Sequence, residues 1–330
     1  MLKANEMNNC SEIIGNRAVL EFLERSIESD HIAHAYLFAG PHNVGKTTVA
    51  HWFIDKLLGL EGKHDLLTHP DVYVVKRQID EKTGKIASTI PVESIRKLNE
   101  RLGMSSFFGN KKVAFIEDAD FLSGASANAF LKTLEEPKGD ALIILRASNI
   151  EALPKTIVSR TQVVRFSRVP KAEIEQSLNA RGADEQKAKE LAGAADGAPG
   201  IALALLADSE ALDLYKRPIQ EYLEIMELPL SERMIKAASI APNEKDSNAR
   251  TQSALELITR IESALHDMLL LSHGNGESLR FPAFVSKYKR VLSHVNPKTL
   301  QQLLSRVQVA RDGASAHVSA QFAIEQLVIF

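Results

Sequence analysis

One short stretch, Gly40-Pro41-His42-Asn43-Val44-Gly45-Lys46-Thr47, constrains this chain more than any other. It fits the pattern G-x-x-x-x-G-K-[ST] without a mismatch. The run before it, Ala35-Tyr36-Leu37-Phe38-Ala39, is apolar and strand-length. After it, Val49, Ala50, Phe53, Ile54 and Leu57 recur at helical spacing, predicting a helix from about Lys46 to Leu58. Strand, glycine-bearing loop and helix in that order make a phosphate cradle. The glycines let the backbone curl, so that loop N–H groups and the helix N-terminus face the anion. Gly40 to Thr48 therefore read as nucleotide contacts, rather than as a bland glycine-rich turn. Lys46 would reach the β and γ oxygens, and the Thr47 hydroxyl would bind Mg²⁺.

The surrounding sequence supplies the rest of such a domain. Further apolar strands are predicted at Val72 to Val75, Val113 to Ile116 and Leu142 to Leu145, with helical periodicity over Ser126 to Leu134 before Pro137. Continuous apolar strands alternating with helices predict an α/β fold, a parallel sheet covered on both faces, over residues 1–167. Residues 168–208 are short Ala/Glu/Lys-rich helices broken at Gly193, Gly197, Pro199 and Gly200. Residues 209–330 carry almost no strand signal. Helices are predicted from Ala249 to Leu271, from about Pro297 to Ala310, and from Val318 to the C-terminus. At roughly 150 residues per domain, 330 residues suit about two domains, or three small ones, in keeping with these three stretches.

Composition removes several classes of function. Forty basic against 42 acidic residues leave a net charge of −2, which excludes a globally basic nucleic-acid coat. The single cysteine, Cys10, forms no internal disulfide and no cysteine-rich zinc site. The N-terminus is polar, and apolar runs such as 141–145 fall far short of the ~20 residues that span a bilayer. A reduced, cytoplasmic protein without zinc and without membrane attachment is expected.

The second element of a phosphate-processing site is an acidic pair closing a neighbouring strand, and Val113-Ala114-Phe115-Ile116-Glu117-Asp118 supplies it. The order is Glu then Asp, the reverse of the usual hydrolytic pair. Glu117 reads as a Mg²⁺ ligand beside Thr47, and the shorter Asp118 as poorly placed to reach an attacking water. Nucleotide binding with impaired hydrolysis follows. No guanine-reading Asn-Lys-x-Asp element occurs, since Asn110-Lys111-Lys112-Val113 ends in Val, and no second-substrate pocket is legible. No aspartate pair suited to nucleotidyl transfer is present, so polymerase activity would belong only to a larger assembly. His31, His34, His42 and His51 suit no metal site. Lys111-Lys112 reads as a charged turn, and Phe107-Phe108 as packing rather than a base-stacking platform.

At this point a family resemblance becomes specific. Ile116-Glu117-Asp118-Ala119-Asp120, Asn128 through Glu136-Pro137, and Leu153-Pro154-Lys155-Thr156-Ile157-Val158-Ser159-Arg160 resemble the clamp-loader branch of the AAA+ ATPases. Ile13-Ile14-Gly15-Asn16 resembles the box that lines the adenine pocket, with Ile14 facing the base. His69-Pro70-Asp71-Val72, Val92 to Arg96, Phe107 to Val113 and Phe322 to Leu327 extend the match toward a non-motor subunit of that branch. The resemblance implies an AAA+ P-loop domain (1–167), a helical lid (168–208) and an α-helical collar (209–330). It implies ATP or ADP with Mg²⁺, and Arg160 as an arginine finger acting in trans on a neighbouring subunit. Ser159-Arg160-Thr161 has Thr where the family has Cys. Implied partners are the motor (gamma/tau) and delta subunits, the sliding clamp and, through the assembly, primed DNA. Two departures point away from hydrolysis. The lid segment Gly197 to Leu203 lacks the sensor arginine, and sensor-one polarity falls to Ser148, with Asn149 second. The alternatives are an ATP-hydrolysing motor subunit and, more remotely, an unrelated P-loop kinase or GTPase.

Overall fold

The computed structural model describes residues 13–60, 66–79, 86–108, 111–136, 139–244, 247–276, 279–315 and 319–330. Cys10, Gly109, Asn110, Pro137 and Val318 lie outside the described residues. The chain divides into two compact units, Met1–Ser177 with Gly197–Gly200, and Leu178–Asp196 with Ile201–Phe330.

The first unit is built on five parallel strands: β1 (Ala35–Ala39), β2 (Val72–Val75), β3 (Lys112–Ile116), β4 (Ala141–Ala147) and β5 (Gln162–Arg165). Their order is β2-β3-β4-β1-β5. Alternate residues of the central strands feed two separate cores. Tyr36, Phe38, Phe115 and Ile144 pack with Leu20 and Leu23 of α1 (Arg17–Glu28) and Val49 and Phe53 of α2 (Lys46–Leu58). On the other face, Leu37, Ile116, Ile143 and Leu145 meet Ile95 and Leu98 of α3 (Val92–Leu102) and Phe130 and Leu134 of α4 (Gly124–Glu135). Ile157 of the short α5 (Lys155–Val158) completes that face. Burial on both sides is why these strands read as unbroken apolar runs.

The four predicted strands and the P-loop helix stand within one or two residues of the expected places. The fifth strand, β5, was not foreseen. Only Val164 of Gln162-Val163-Val164-Arg165 is buried, so the segment carries little hydrophobic signal.

A second correction concerns Phe107 and Phe108. They do not enter the core: they are 80% and 64% exposed, and among the described aromatic contacts they touch only each other and, for Phe108, the His69 ring. The Asp71 carboxylate accepts the backbone N–H of Phe107 at 2.8 Å and of Phe108 at 3.1 Å, and the Ser106 hydroxyl at 3.0 Å. These bonds hold the loop by its backbone and leave the rings outward. They also hold the Asp71 carboxyl below its ordinary range, against the opposing effect of burial.

The chain continues through α6 (Lys171–Ala180), α7 (Glu185–Ala195) and α8 (Pro199–Ala207), then α9 (Ser209–Met226), α10 (Leu230–Ile240), α11 (Ser247–Ser272), α12 (Val285–Leu292), α13 (Pro297–Ser315) and α14 (Ala320–Glu325). No strand occurs among the described residues after Arg165. In the second unit Tyr222, Ile258, Leu265, Tyr288, Leu303 and Leu327 are fully buried, and the Tyr222 hydroxyl donates to the Leu327 carbonyl at 2.8 Å. Asp267 is also fully buried, its carboxylate accepting the backbone N–H groups of Arg280 (2.9 Å) and Phe281 (2.8 Å). No described helix is long and apolar enough to cross a membrane.

Candidate nucleotide-binding site

In a parallel sheet the strand C-termini open onto one edge, and ligands bind there. Here β1 runs into Gly40, β3 into Glu117-Asp118, and β4 ends at Ala147. Gly40 has φ +152°, and a Cβ on it would lie 2.3 Å from the Phe166 carbonyl oxygen, so only glycine fits. Gly45, at φ +99°, begins α2 without a side-chain cap. The first turn of that helix therefore keeps its backbone N–H groups for an external anion. Val44 is buried, and its carbonyl accepts from the Asn16 side chain at 3.2 Å. Asn16 also bonds Ser167 in both directions, at 3.0 and 3.2 Å, clipping the Ile13–Asn16 box to the loop and to the exit of β5. Ile14 is buried beside it. Asn43, with φ 59°, accepts the Gly200 N–H at 2.9 Å.

Lys46 is 5% exposed and donates to the carbonyls of Gly40 and Pro41. Burial first, and the neighbouring Arg146 second, bring its ammonium down to about 8 from 10.5. His42 is likewise pushed down, by burial and then by Lys46, and its Nδ1 lies 3.1 Å from the Ser148 hydroxyl. Ser148 thus stands beside the P-loop residue His42. Its backbone N–H and that of Asn149 are held by Asp120, at 2.7 and 3.0 Å.

The residue that sequence reasoning missed is Arg146. Register explains where it stands. Ile116 pairs with Leu145, so the next residues, Glu117 and Arg146, come side by side, while Phe38 pairs with Arg146 across β1. Its guanidinium donates through Nε to the Glu117 carbonyl, through Nη1 to the Thr47 hydroxyl at 2.8 Å, and through Nη2 to Asp118 Oδ1 at 3.0 Å. The other Asp118 oxygen faces Arg77 Nε at 3.4 Å, and Arg77 stacks on Phe121 with 3.7 Å to the ring centroid. The available signal was a lone arginine near the end of an otherwise apolar strand.

These contacts test the fit of the expected magnesium ion. Mg²⁺ takes oxygen ligands at about 2.0–2.1 Å in a near-octahedral shell. The Thr47 hydroxyl and the acid pair are the natural donors, yet a guanidinium already bridges Thr47 to Asp118. With Arg146 in this position the residues do not fit the ion.

The family model described as DNA polymerase III, delta subunit, matches residues 15–170. DNA polymerase III subunit gamma of Buchnera aphidicola is 27% identical, over 90% of this chain and 88% of its own length. Subunit delta′ of Bacillus subtilis is 30% identical over 48% of this chain and 50% of its own. Over residues 15–170, and more thinly over most of its length, this chain is thus similar to the gamma, tau and delta′ subunits of DNA polymerase III. It spans half the length of the Bacillus relative and a quarter of the Haemophilus influenzae tau/gamma subunit, which is 30% identical over the matched part. Among solved structures, the match to the RuvB Holliday junction branch migration motor of Thermotoga maritima covers 88% of this chain and 91% of that one. The identity is 15% and the TM-score 0.48.

Arg160 stands apart from the P-loop, just after α5. Its Nη2 pairs with Glu135 at the end of α4 at 2.6 Å, and its Nη1 donates to the Thr156 carbonyl at 3.0 Å. The side chain is 35% exposed. The structure thus brings together Ile14, Gly40 to Thr48, Glu117, Asp118 and Ser148 at one sheet edge, with Arg160 outside that cluster.

Proposed function

We propose that the chain is a delta-prime-like subunit of a DNA polymerase III clamp loader, helping to assemble the ATP-driven complex that places the sliding clamp on primed DNA. In this reading the P-loop binds ATP or ADP, with weak or no hydrolysis. Arg160 enters the ATP site of an adjacent motor (gamma/tau) subunit, and the delta subunit completes the assembly. Residues 168–208 serve as lid and 209–330 as collar.

The observation that carries the non-motor reading is the state of Asp118. Both of its oxygens face guanidinium groups, leaving it poorly placed to orient an attacking water. The absence of a lid arginine in Gly197 to Leu203 acts the same way, because removing one such electrostatic group typically costs about 10²–10³ in rate. Arg160, half-buried and paired with Glu135, has the planar, always-charged fork that stabilises a transferring phosphoryl group.

A specific observation favours a second reading, an ATP-hydrolysing motor subunit. The P-loop is complete, and the similarity to a gamma subunit runs over nearly the whole chain. ATP hydrolysis by the cognate motor and delta subunits, with clamp and primed DNA, separates the two when this chain is added as wild type or Arg160→Ala. Stimulation by wild type and assembly without stimulation by the variant support the finger; equal behaviour refutes it. Turnover by the isolated chain at a comparable rate establishes the motor reading instead.

A further inference from the structure

The divalent-metal locus of this site is bridged by a side chain of the protein itself. Arg146 reaches the Thr47 hydroxyl, an Asp118 oxygen and the Glu117 carbonyl. Those groups come from α2 and from the end of β3, while the arginine itself comes from β4. The cation, carried by β4, is therefore held by groups from two other elements. Arg77, stacked on Phe121, holds the second oxygen of Asp118 and keeps that carboxylate turned toward the guanidinium pair. Three of the five guanidinium N–H donors are engaged in these bonds, and two remain for an incoming anion.

The charge inventory agrees. A divalent ion at a P-loop neutralises phosphate oxygens and tethers them to the Thr hydroxyl and an acidic side chain. A guanidinium joined to the same hydroxyl and acid offers one positive charge and a planar fork suited to phosphate. Lys46 supplies a second cation from the loop side. For Mg²⁺ to take the Thr47 oxygen, Arg146 would have to withdraw, breaking the Thr47 and Asp118 bonds together; were it to stay, two cations would crowd one spot.

We propose that Arg146 is the resident cation of this phosphate site, standing in for the divalent ion, so that the chain binds nucleoside di- and triphosphates without magnesium. The inference rests on the reading of the P-loop as a nucleotide site.

The test is equilibrium binding of mant-ADP to the full chain, once in excess EDTA and once in excess magnesium chloride. Wild type is expected to bind with affinities that agree within about twofold. Charge-assisted hydrogen bonds contribute enough that Arg146→Ala should lose about 10- to 150-fold in EDTA, and magnesium should restore much of the loss because Thr47 and Asp118 are released. Arg146→Lys, which keeps the charge without the fork, should fall between the two and guards against a folding defect in the alanine variant. Binding by wild type only in magnesium overturns the inference while leaving the nucleotide site standing. Equal binding by wild type and Arg146→Ala in EDTA also overturns it. No binding of mant-ADP by the folded wild-type chain in either solution refutes the nucleotide reading itself.

Discussion

Proton uptake on nucleotide binding offers a direct test of the electrostatics of the P-loop. Lys46 is held down to about 8 by burial and by Arg146. A phosphate bound against it favours the ammonium and raises its pKa well above that value. The free site therefore has about one-tenth of its Lys46 uncharged at pH 7, half at pH 8 and nine-tenths at pH 9, and binding recharges it. Calorimetry with ADP in two buffers of different ionisation enthalpy should show about 0.1, 0.5 and 0.9 protons taken up at those three pH values. The association constant should fall about tenfold between pH 7 and pH 9. Arg146→Gln removes one of the two causes, so its uptake at pH 9 should be smaller than that of wild type. A flat affinity with no proton uptake at pH 9 would refute the reasoning. The same shift has a stability counterpart of fixed sign. The unfolded chain holds the Lys46 proton up to about 10.5 and the folded chain only to about 8. The contribution of this residue to stability therefore grows as pH rises through that window.

Other expectations concern the proposed role of Arg160 as a finger in trans, and the second unit. Arg160→Ala in the assembled loader should lower ATP turnover by about a thousandfold or more at the site it serves. Glu135→Gln, which removes only the partner that aligns Arg160, should cost about two- to fivefold with assembly unchanged. Gly193→Ala would place a Cβ 2.0 Å from the Arg280 carbonyl oxygen. It should destabilise by about 1–3 kcal/mol, read as a fall in Tm of roughly 2–12 °C. Asp267→Ala would leave the N–H groups of Arg280 and Phe281 buried without an acceptor. A loss of about 2–5 kcal/mol is expected in urea unfolding, and Asp267→Asn, which keeps one acceptor oxygen, should lose less.

How much was legible in the sequence depended on how local the cause was. The P-loop, β1 and α2 are contiguous, and their glycines, apolar run and helical spacing announce themselves. Glu117 and Asp118 were legible because an acidic pair closing an apolar strand is a local pattern too. Arg146 was not, since its role follows from strand register. Only the pairing of Ile116 with Leu145 brings it beside Glu117, and only the neighbouring β1 brings it to Thr47. The β5 strand escaped because an edge strand with one buried residue lacks the apolar signature of its neighbours. Phe107 and Phe108 misled for the opposite reason. Two adjacent aromatics suggest a core, yet Asp71 fixes their backbone so that the rings face outward.

The strand order also bears on how this chain is made. Both neighbours of the wholly buried β1 lie far downstream: Ala35 pairs with Ile143, and Tyr36 with Gln162. A ribosome adding roughly 5–20 residues per second needs about 5–20 s to deliver the first of them. For that interval the strand that carries the P-loop is an apolar segment without its sheet partners, able to associate with other nascent chains. Recovery of active protein should therefore respond more strongly to elongation rate and to holdase chaperones during synthesis of residues 40–165 than at any later stage.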